Sequence, residues 1–376
     1  MTTATDPAPP EHAVGPALAT DLGRLSRSRL VGLCGVCLAV GLWVLWRTGP
    51  GKVPYLALFE STARQWPTTP LPTDSQYILR EPLGQTVYRL LPVHGTGVYL
   101  ALHLVCLLVS ATWLAAWLCR RLGRESGLVA CAIVALGSGD SRPGVLWIGM
   151  YDAFSVLAWV AVLVTMGRRP GWQLAAGMLA GFQDFEQIGV GLLMVALLPQ
   201  LARSAGLRPR AAQLIGGAVI GKLVLEAYLH TVGAGSGSRL SYLERWDVFS
   251  GLLGSAGANA PLLVWSALAG LWGFALKALR DSWGGWTAQQ RVGLIVAVLF
   301  WFATATLSAD HSRVLAMTSF PLVVMAALAI AARWPWRRLL RMPQTWLLIL
   351  APPVVLRDYT TLPMGIKPGT WGGWIF

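Results

Sequence analysis

Carboxylate side chains in the apolar part of this chain stand where hydrophobic runs end. Asp140 and Asp152 flank the segment SRPGVLWIGMY. Asp184 and Glu186 lie in GFQDFEQ, and Asp310 begins DHSR. An ionised carboxylate is costly in hydrocarbon, so acids at membrane depth usually line a wet cavity or a substrate path. A carboxylate can also take a proton from a hydroxyl group during group transfer. We therefore interpret the five acids as parts of one site.

Basic and neutral polar side chains accompany these acids. Arg80, Arg142 and Arg313 are the arginines closest to the acidic segments on the same side of the predicted membrane. Because the guanidinium group binds phosphate oxygens in a bidentate manner, the three are candidate phosphate ligands. Three neighbouring side chains are further candidates for orienting a polar substrate: Tyr151, Gln187 and His311.

Structural roles compete with these interpretations. Asp140, Asp152 and Asp310 also suit the N-cap position of the helices that follow them. Arg142 and Arg313 equally suit surface ion pairs with the nearby acids, as does Arg80 with Glu81. The repetition of one chemistry at several helix ends favours a site.

The elements that hold these residues are membrane helices. The chain has 55% hydrophobic and 12% charged residues and a mean hydropathy of +0.56, which is too apolar for a soluble domain of this length. We predict an all-α polytopic membrane protein with about 11 transmembrane helices, several of them short. The predicted spans are 30–46, 97–119, 127–138, 153–167, 171–183, 187–202, 211–232, 260–278, 292–308, 313–332 and 344–356.

The predicted spans divide the chain into one membrane domain and two tails. Residues 1–29 form a largely disordered cytoplasmic tail, 30–356 the transmembrane domain, and 357–376 an extracytoplasmic tail. Two long extracytoplasmic loops are expected at 47–96 and 233–259. The first contains PYLALFESTARQW, which is amphipathic enough to form a helix at the membrane interface.

Lys and Arg residues predict the orientation, because cytoplasmic loops retain them. A cytoplasmic N-terminus places most of the 30 Lys and Arg residues inside and most of the 17 Asp and Glu residues outside. The formal charge of +13 then belongs to the cytoplasmic face, so no nucleic-acid partner is needed to explain it. We expect a multi-pass bacterial plasma membrane protein with an extracytoplasmic C-terminus.

The segment from Gly171 to Leu201 allows two interpretations. A single helix would put its two flanking basic segments on opposite sides of the membrane. Two helices that meet between Phe182 and Gln187 keep both basic segments inside and turn at the acids. We favour the second, because helices that end early leave a wet recess in the outer leaflet, which the long loops can cover.

This layout resembles the GT-C superfamily of membrane glycosyltransferases, which use polyprenyl-phosphate-linked sugars. The similarity covers roughly residues 30–335 and lies in the long acidic first outer loop, the MYDAFSVLAWV segment and the acid and basic motifs at outer helix ends. It implies transfer of a sugar to a glycan, lipid or protein acceptor outside the cell. It also implies an essential acid in the first outer loop, where Glu60 is the first candidate base and Asp74 the second. The chain lacks the adjacent acidic pair common in that loop and a large soluble domain after the last span. We expect no cofactor, and the use of a metal ion stays open.

Two other functions remain open at this level. A secondary transporter or lipid flippase would use charges deep in the membrane, and Lys222 and Glu226 stand four residues apart in one predicted span. Their spacing also suits mutual neutralisation. A non-catalytic assembly protein of the same fold is the second alternative, which the missing acidic pair allows. Separately, Glu60 also suits the solvated face of a helix that lies on the membrane surface.

Overall fold

The computed structural model describes residues 31–32, 35, 38–39, 56–67, 79, 81–137, 152–233, 246–258, 260–306 and 311–350. Within these ranges the protein is helical and contains no strand. The first helices are α1 (Leu56–Gln65), α2 (Pro82–Arg89), α3 (Thr96–Leu122), α4 (Arg124–Gly137), α5 (Asp152–Thr165), α6 (Pro170–Leu197), α7 (Pro199–Ser204) and α8 (Ala211–Thr231). Then follow α9 (Trp246–Ala258), α10 (Ala260–Leu268), α11 (Trp272–Ser282), α12 (Ala288–Thr306), α13 (His311–Arg333), α14 (Trp336–Leu339) and α15 (Pro343–Leu350).

The apolar helices show an all-α membrane protein. In the described ranges, three helices are long and apolar enough to cross a membrane: α3, α8 and α13 from Arg313 onward. Shorter apolar helices are α5 and most of α12. Large apolar side chains such as Val105, Leu223 and Leu299 are more than half exposed on α3, α8 and α12, as expected for surfaces that face lipid. α13 is almost completely buried and forms the centre of the bundle.

Within the described ranges, helix bounds agree with the predicted spans to within a few residues, except in two places. Most of the predicted span 30–46, the end of the span 344–356 and both predicted tails lie outside the described residues. The predicted span 260–278 is interrupted by a 3₁₀ turn at Ala269–Leu271, where Ala269 has a φ of 45°. The loop predicted at 233–259 contains the helix α9. Both differences arise because hydropathy reports how apolar a segment is and not where its backbone turns.

Two contacts define the ends of the bundle. The Cys106 thiol of α3 donates a hydrogen bond to the Ala153 carbonyl oxygen at the start of α5, over 3.4 Å. Near the other end of α3, the Arg121 guanidinium donates to the Gly206 carbonyl oxygen. Cys106 and Arg121 are about 22 Å apart along the helix at 1.5 Å per residue. We refer to these levels as the Asp152 end and the Arg121 end.

Helix α6 reverses direction at Asp184. Gln183 lies at the Asp152 end, because its Nε2 donates to Ser155 Oγ over 3.2 Å. If α6 were straight, Leu197 would lie about 20 Å beyond Gln183 and therefore about 42 Å from the Arg121 end, where Gly206 lies. The chain between Leu197 and Gly206 can span at most about 23 Å, because it includes the short helix α7. A straight α6 is therefore excluded. Asp184 has non-helical dihedral angles, φ −158° and ψ 79°.

The prediction that two helices meet between Phe182 and Gln187 is therefore confirmed. We call residues 170–183 the outward arm and residues 185–197 the return arm. Each arm is about 20 Å long, shorter than the roughly 30 Å of hydrocarbon in a bilayer. Asp184 thus lies below the level that a full-length membrane helix reaches.

The outward arm packs against α8 through glycines. Gly177 and Gly181 on the arm lie against the backbone of Leu214 and Ala218, and Gly217 of α8 lies against Leu174. A Cβ atom at any of these glycines would overlap a carbonyl oxygen of the facing helix. Residue numbers rise together on both sides of this seam, so the two helices are parallel. Small residues permit this close approach, which dispersion and Cα–H···O contacts stabilise.

We expect Gly217→Ala to destabilise the protein and Gly216→Ala to leave it unchanged or slightly more stable. The methyl group at Gly217 would overlap the Leu174 carbonyl oxygen, whereas nothing lies within 4 Å of a Cβ at Gly216. Overpacking of this kind costs about 1–3 kcal/mol. Unfolding of both variants in the same detergent gives the comparison, and equal stabilities would contradict the packing described.

Helices α3 and α8 extend past the level of Asp184. Cys106 marks the level of the α5 N-terminus, and Gly221 of α8 lies against the backbone of Phe182. Each helix continues for about ten further residues, or about 15 Å, beyond that level. The short helices therefore end in a recess between two longer ones.

Helices α1 and α2 cover this recess. The Leu83 N–H in α2 donates to Gln183 Oε1 over 3.0 Å, and Trp66 after α1 packs on Tyr228 of α8 with ring centroids 5.5 Å apart. Phe59 and Tyr88 are completely or almost completely buried between them. The amphipathic first segment thus forms a helix, as predicted, and lies above the recessed helix ends.

Candidate functional site

A buried ion pair joins the beginnings of two helices. Arg313 Nη1 at the start of α13 donates to Asp152 Oδ1 at the start of α5 over 2.8 Å. Their side chains are only 3% and 2% exposed. Breaking a buried pair leaves an uncompensated charge, which costs about 3–5 kcal/mol. Arg313 is therefore buried and not on the surface. Its described partner is Asp152, whereas Asp310 lies outside the described residues.

Gln183 connects this level to the covering helices. Its Nε2 donates to Ser155 Oγ, one turn along α5 from Asp152, and its Oε1 accepts from Leu83 in α2. Gln183 is fully buried. The amide thus joins α5, α6 and α2 within one polar layer, defined here by Asp152, Ser155, Gln183, Asp184, Gln187 and Arg313.

Asp184 begins the return arm as its N-cap. Its Oδ1 accepts the Gln187 N–H over 3.2 Å, which satisfies a main-chain donor that the helix start would otherwise leave unpaired. The side chain is buried, whereas Glu186 is partly exposed. Asp184 therefore has a structural role at the reversal, whether or not it also contacts a substrate.

Glu60, the first candidate for the base, is held by three strong hydrogen bonds. Arg64 donates through Nη2 to both carboxylate oxygens over 2.8 and 2.9 Å, and the Tyr88 hydroxyl lies 2.6 Å from Oε1. Burial by itself raises the pKa of Glu60, but the bonds from Tyr88 and Arg64 outweigh it and lower the pKa below its ordinary value. A carboxylate held in its ionised form is a weak proton acceptor. Glu60 thus joins α1 to α2 and is poorly suited to be the base.

Glu81 is a buried acid that the sequence interpretation treated as half of an exposed pair. It is 5% exposed and immediately precedes α2, whose first residue is Pro82. Gly84, one turn along, lies against the rings of Phe154 and His103. Glu81 is therefore held just above the polar layer. Proline at the first position of a helix was the available signal, since it marks Glu81 as the residue at the helix start.

A group of aromatic side chains fills the space between Glu60 and the polar layer. Tyr88 contacts Tyr99 edge-on at 5.0 Å, Tyr99 contacts His103 at 4.6 Å, and His103 contacts Phe154 at 5.3 Å. His103 and Gln85 are also buried. These contacts fix the position of α2 over the start of α5 and exclude solvent from the polar layer.

Several candidate residues lie outside the described part of the chain: Asp74, Arg80, Asp140, Arg142, Tyr151 and Asp310. His311 is the first residue of α13, and its side chain is likewise not described. Of the remaining candidates, the structure brings Asp152, Asp184, Gln187 and Arg313 into one layer and places Glu60 in the cover above it. Within the described ranges, no three His, Cys, Asp or Glu side chains come together as metal ligands.

Comparisons with protein-family models, with curated proteins and with solved structures find no match to this chain. The function therefore has to be inferred from the geometry of the site.

Proposed function

We propose that the protein is an integral membrane glycosyltransferase with a GT-C-like fold of about 11 transmembrane helices. It transfers a sugar from a polyprenyl-phosphate donor to an envelope glycan, lipid or protein acceptor on the extracytoplasmic side. The observation that carries the proposal is the buried Asp152–Arg313 pair in a recessed polar layer, covered by helices of the first long loop. A lipid-linked substrate needs such a layer, which is polar, shielded from bulk water and close to the hydrocarbon.

Arg313 is the proposed ligand of the donor phosphate. It lies in the first turn of α13, where the helix dipole also favours an anion. Asp152 holds the guanidinium in place through Nη1, and a guanidinium group is a fork of donors that suits phosphate oxygens. Negative charge on the departing phosphate grows during transfer, so a cation fixed beforehand stabilises the transition state more than the bound donor.

Glu81 is the proposed base, ahead of Glu60. In an inverting transfer, a carboxylate removes the proton from the acceptor hydroxyl while that oxygen forms a bond to the anomeric carbon. The bond from the anomeric carbon to the phosphate oxygen breaks, and polyprenyl phosphate leaves. Glu81 is supported by its burial next to the polar layer. The bonds from Tyr88 and Arg64 lower the pKa of Glu60, which makes that carboxylate a weaker base. Asp74 remains the alternative from the same loop.

The proposed orientation places the Arg121 end in the cytoplasm. Arg121, Arg168, Arg203 and Arg333 all stand at or just beyond helix ends on that side, whereas the buried acids belong to the Asp152 end. This distribution follows the positive-inside rule. It puts the polar layer in the outer leaflet, where a polyprenyl-phosphate sugar presents its head group.

The transporter alternative gains no support from Lys222 and Glu226. Lys222 Nζ lies 2.7 Å from Glu226 Oε1, so the two charges neutralise each other along one helix. A residue pair that exchanges ions or substrate would instead face a partner across the transport path.

Transfer by purified protein in right-side-out proteoliposomes tests the proposed function. A panel of radiolabelled polyprenyl-phosphate pentoses and hexoses is supplied with an acceptor extract that cannot cross the membrane. We expect a labelled product with at least one donor and a loss of product with Arg313→Ala. Scrambling of the donor without product would favour a flippase, and neither activity with any donor would favour an assembly protein.

A further inference from the structure

Gln187 is a buried amide whose hydrogen-bonding groups are unused. Its side chain is 1% exposed, and neither Oε1 nor Nε2 has a hydrogen-bond partner among the described residues. Leaving such groups unpaired in the interior is costly, and native proteins rarely do so without a water molecule or a ligand. The main-chain N–H of Gln187 donates to Asp184 Oδ1.

A second unused donor lies between α5 and the return arm of α6. Trp159 is completely buried, and its indole Nε1–H has no partner among the described residues. Its ring lies against Gly191, one turn along the return arm from Gln187 on the same face. A Cβ atom at Gly191 would overlap ring atoms Cζ2 and Cη2 and lie 3.0 Å from the Thr318 carbonyl oxygen. Cζ2 is adjacent to the carbon that bears Nε1, so the N–H lies on the ring edge nearest to this arm.

Successive turns of α5, from the polar layer toward the Arg121 end, make contacts at three levels. On α5, Asp152, Ser155 and Trp159 share one face, and their respective partners are Arg313, Gln183 and Gly191. The first two levels are hydrogen-bonded within the protein. Between Gln187 and the third level, three polar groups have no hydrogen-bond partner among the described residues: Nε2 and Oε1 of Gln187 and Nε1 of Trp159.

We propose that Gln187 and Trp159 form a subsite that binds one sugar hydroxyl group. A hydroxyl can donate to Gln187 Oε1 and accept from Trp159 Nε1, so a single small group pairs one polar atom of each side chain. Neither side chain carries a charge, so at the sugar position that it contacts the subsite favours a hydroxyl over the carboxylate of a uronic acid or the ammonium group of an amino sugar. This inference rests on the proposed function and adds the substrate class and two specificity-determining residues.

Gln173 is a matched control for Gln187. It is an equally buried glutamine on the other arm of α6, at the Arg121 end, and its amide is fully used. Nε2 donates to the carbonyl oxygens of Arg168 and Arg208, and Oε1 accepts from the Arg210 N–H over 2.7 Å. Gln173→Leu therefore leaves main-chain groups unpaired, whereas Gln187→Leu removes groups that have no partner among the described residues.

The experiment measures thermal unfolding, binding and transfer for wild type, Gln187→Leu, Trp159→Phe and Gln173→Leu in lipid nanodiscs. Methyl glycosides of neutral sugars, together with their single-deoxy forms, serve as binding probes. We expect Gln187→Leu to unfold at or above the wild-type temperature and Gln173→Leu to unfold below it. We also expect Gln187→Leu and Trp159→Phe each to weaken binding and transfer about tenfold, because each removes one hydrogen bond to the hydroxyl. One single-deoxy glycoside should bind wild type about as weakly as the parent sugar binds Gln187→Leu.

Normal binding and transfer by Gln187→Leu and Trp159→Phe, together with wild-type stability of Gln187→Leu, would overturn the subsite. The space beside the two side chains would then hold only water or remain unfilled. If wild type itself neither binds a glycoside nor transfers sugar, the proposed function fails and the subsite fails with it. Preferential use of a uronic acid donor by active wild type would overturn the assignment to a neutral sugar.

Discussion

Arg313→Ala is expected to abolish transfer and also to lower the free energy of unfolding by about 3–5 kcal/mol, because it leaves Asp152 charged and buried without its partner. Loss of activity in Arg313→Ala would not by itself show whether Arg313 binds the donor phosphate or only maintains the structure. Arg313→Lys keeps the charge but loses the planar, bidentate geometry, so we expect partial activity. Unfolding in mixed micelles and initial transfer rates provide the two measurements.

The double variant Asp152→Leu/Arg313→Met separates the two roles. Replacing a buried ion pair by apolar side chains of similar volume is often neutral or stabilising by about 1–4 kcal/mol. We therefore expect the double variant to recover wild-type stability while transfer stays absent. Near-normal transfer by a stable double variant would show that the pair only holds α5 and α13 together, and Arg313 would leave the proposed site.

Glu81→Gln is expected to reduce the rate of transfer about 10²- to 10⁴-fold, the usual effect of losing a general base. The amide keeps the shape of the side chain but cannot take the proton. Donor binding should change little, since the substitution leaves Arg313 and the polar layer intact. Single-turnover rates and equilibrium donor binding, measured on the same preparation, separate the chemical step from affinity.

Glu60→Gln is the matched control from the same covering helices. It weakens the hydrogen bonds to Arg64 and Tyr88, so we expect lower stability with most of the transfer rate retained. Loss of transfer in Glu60→Gln at normal stability, with active Glu81→Gln, would return the role of base to Glu60. If both variants are active and Asp74→Asn is not, the base is Asp74.

The local features of this protein follow from its sequence. The bounds of α3, α5, α8 and α13 agree with the apolar runs, because the length and hydropathy of a segment dictate how it crosses a bilayer. The reversal at Asp184 was predicted from the basic segments on either side, since these resist crossing the membrane. The pairing of Lys222 with Glu226 follows from their spacing of four on one helix.

The tertiary structure alone decided which side chains form the site. Arg313 pairs with Asp152, which lies 161 residues earlier in the chain. Glu60 and Glu81 appeared exposed in the sequence, yet the packing of α1 and α2 buries both. It pairs Glu60 with Arg64 and places Glu81 next to the polar layer. The unused amide of Gln187 and the fully bonded amide of Gln173 are likewise indistinguishable in the sequence. Hydropathy and spacing describe one helix at a time, whereas burial and hydrogen bonding depend on which helix faces which.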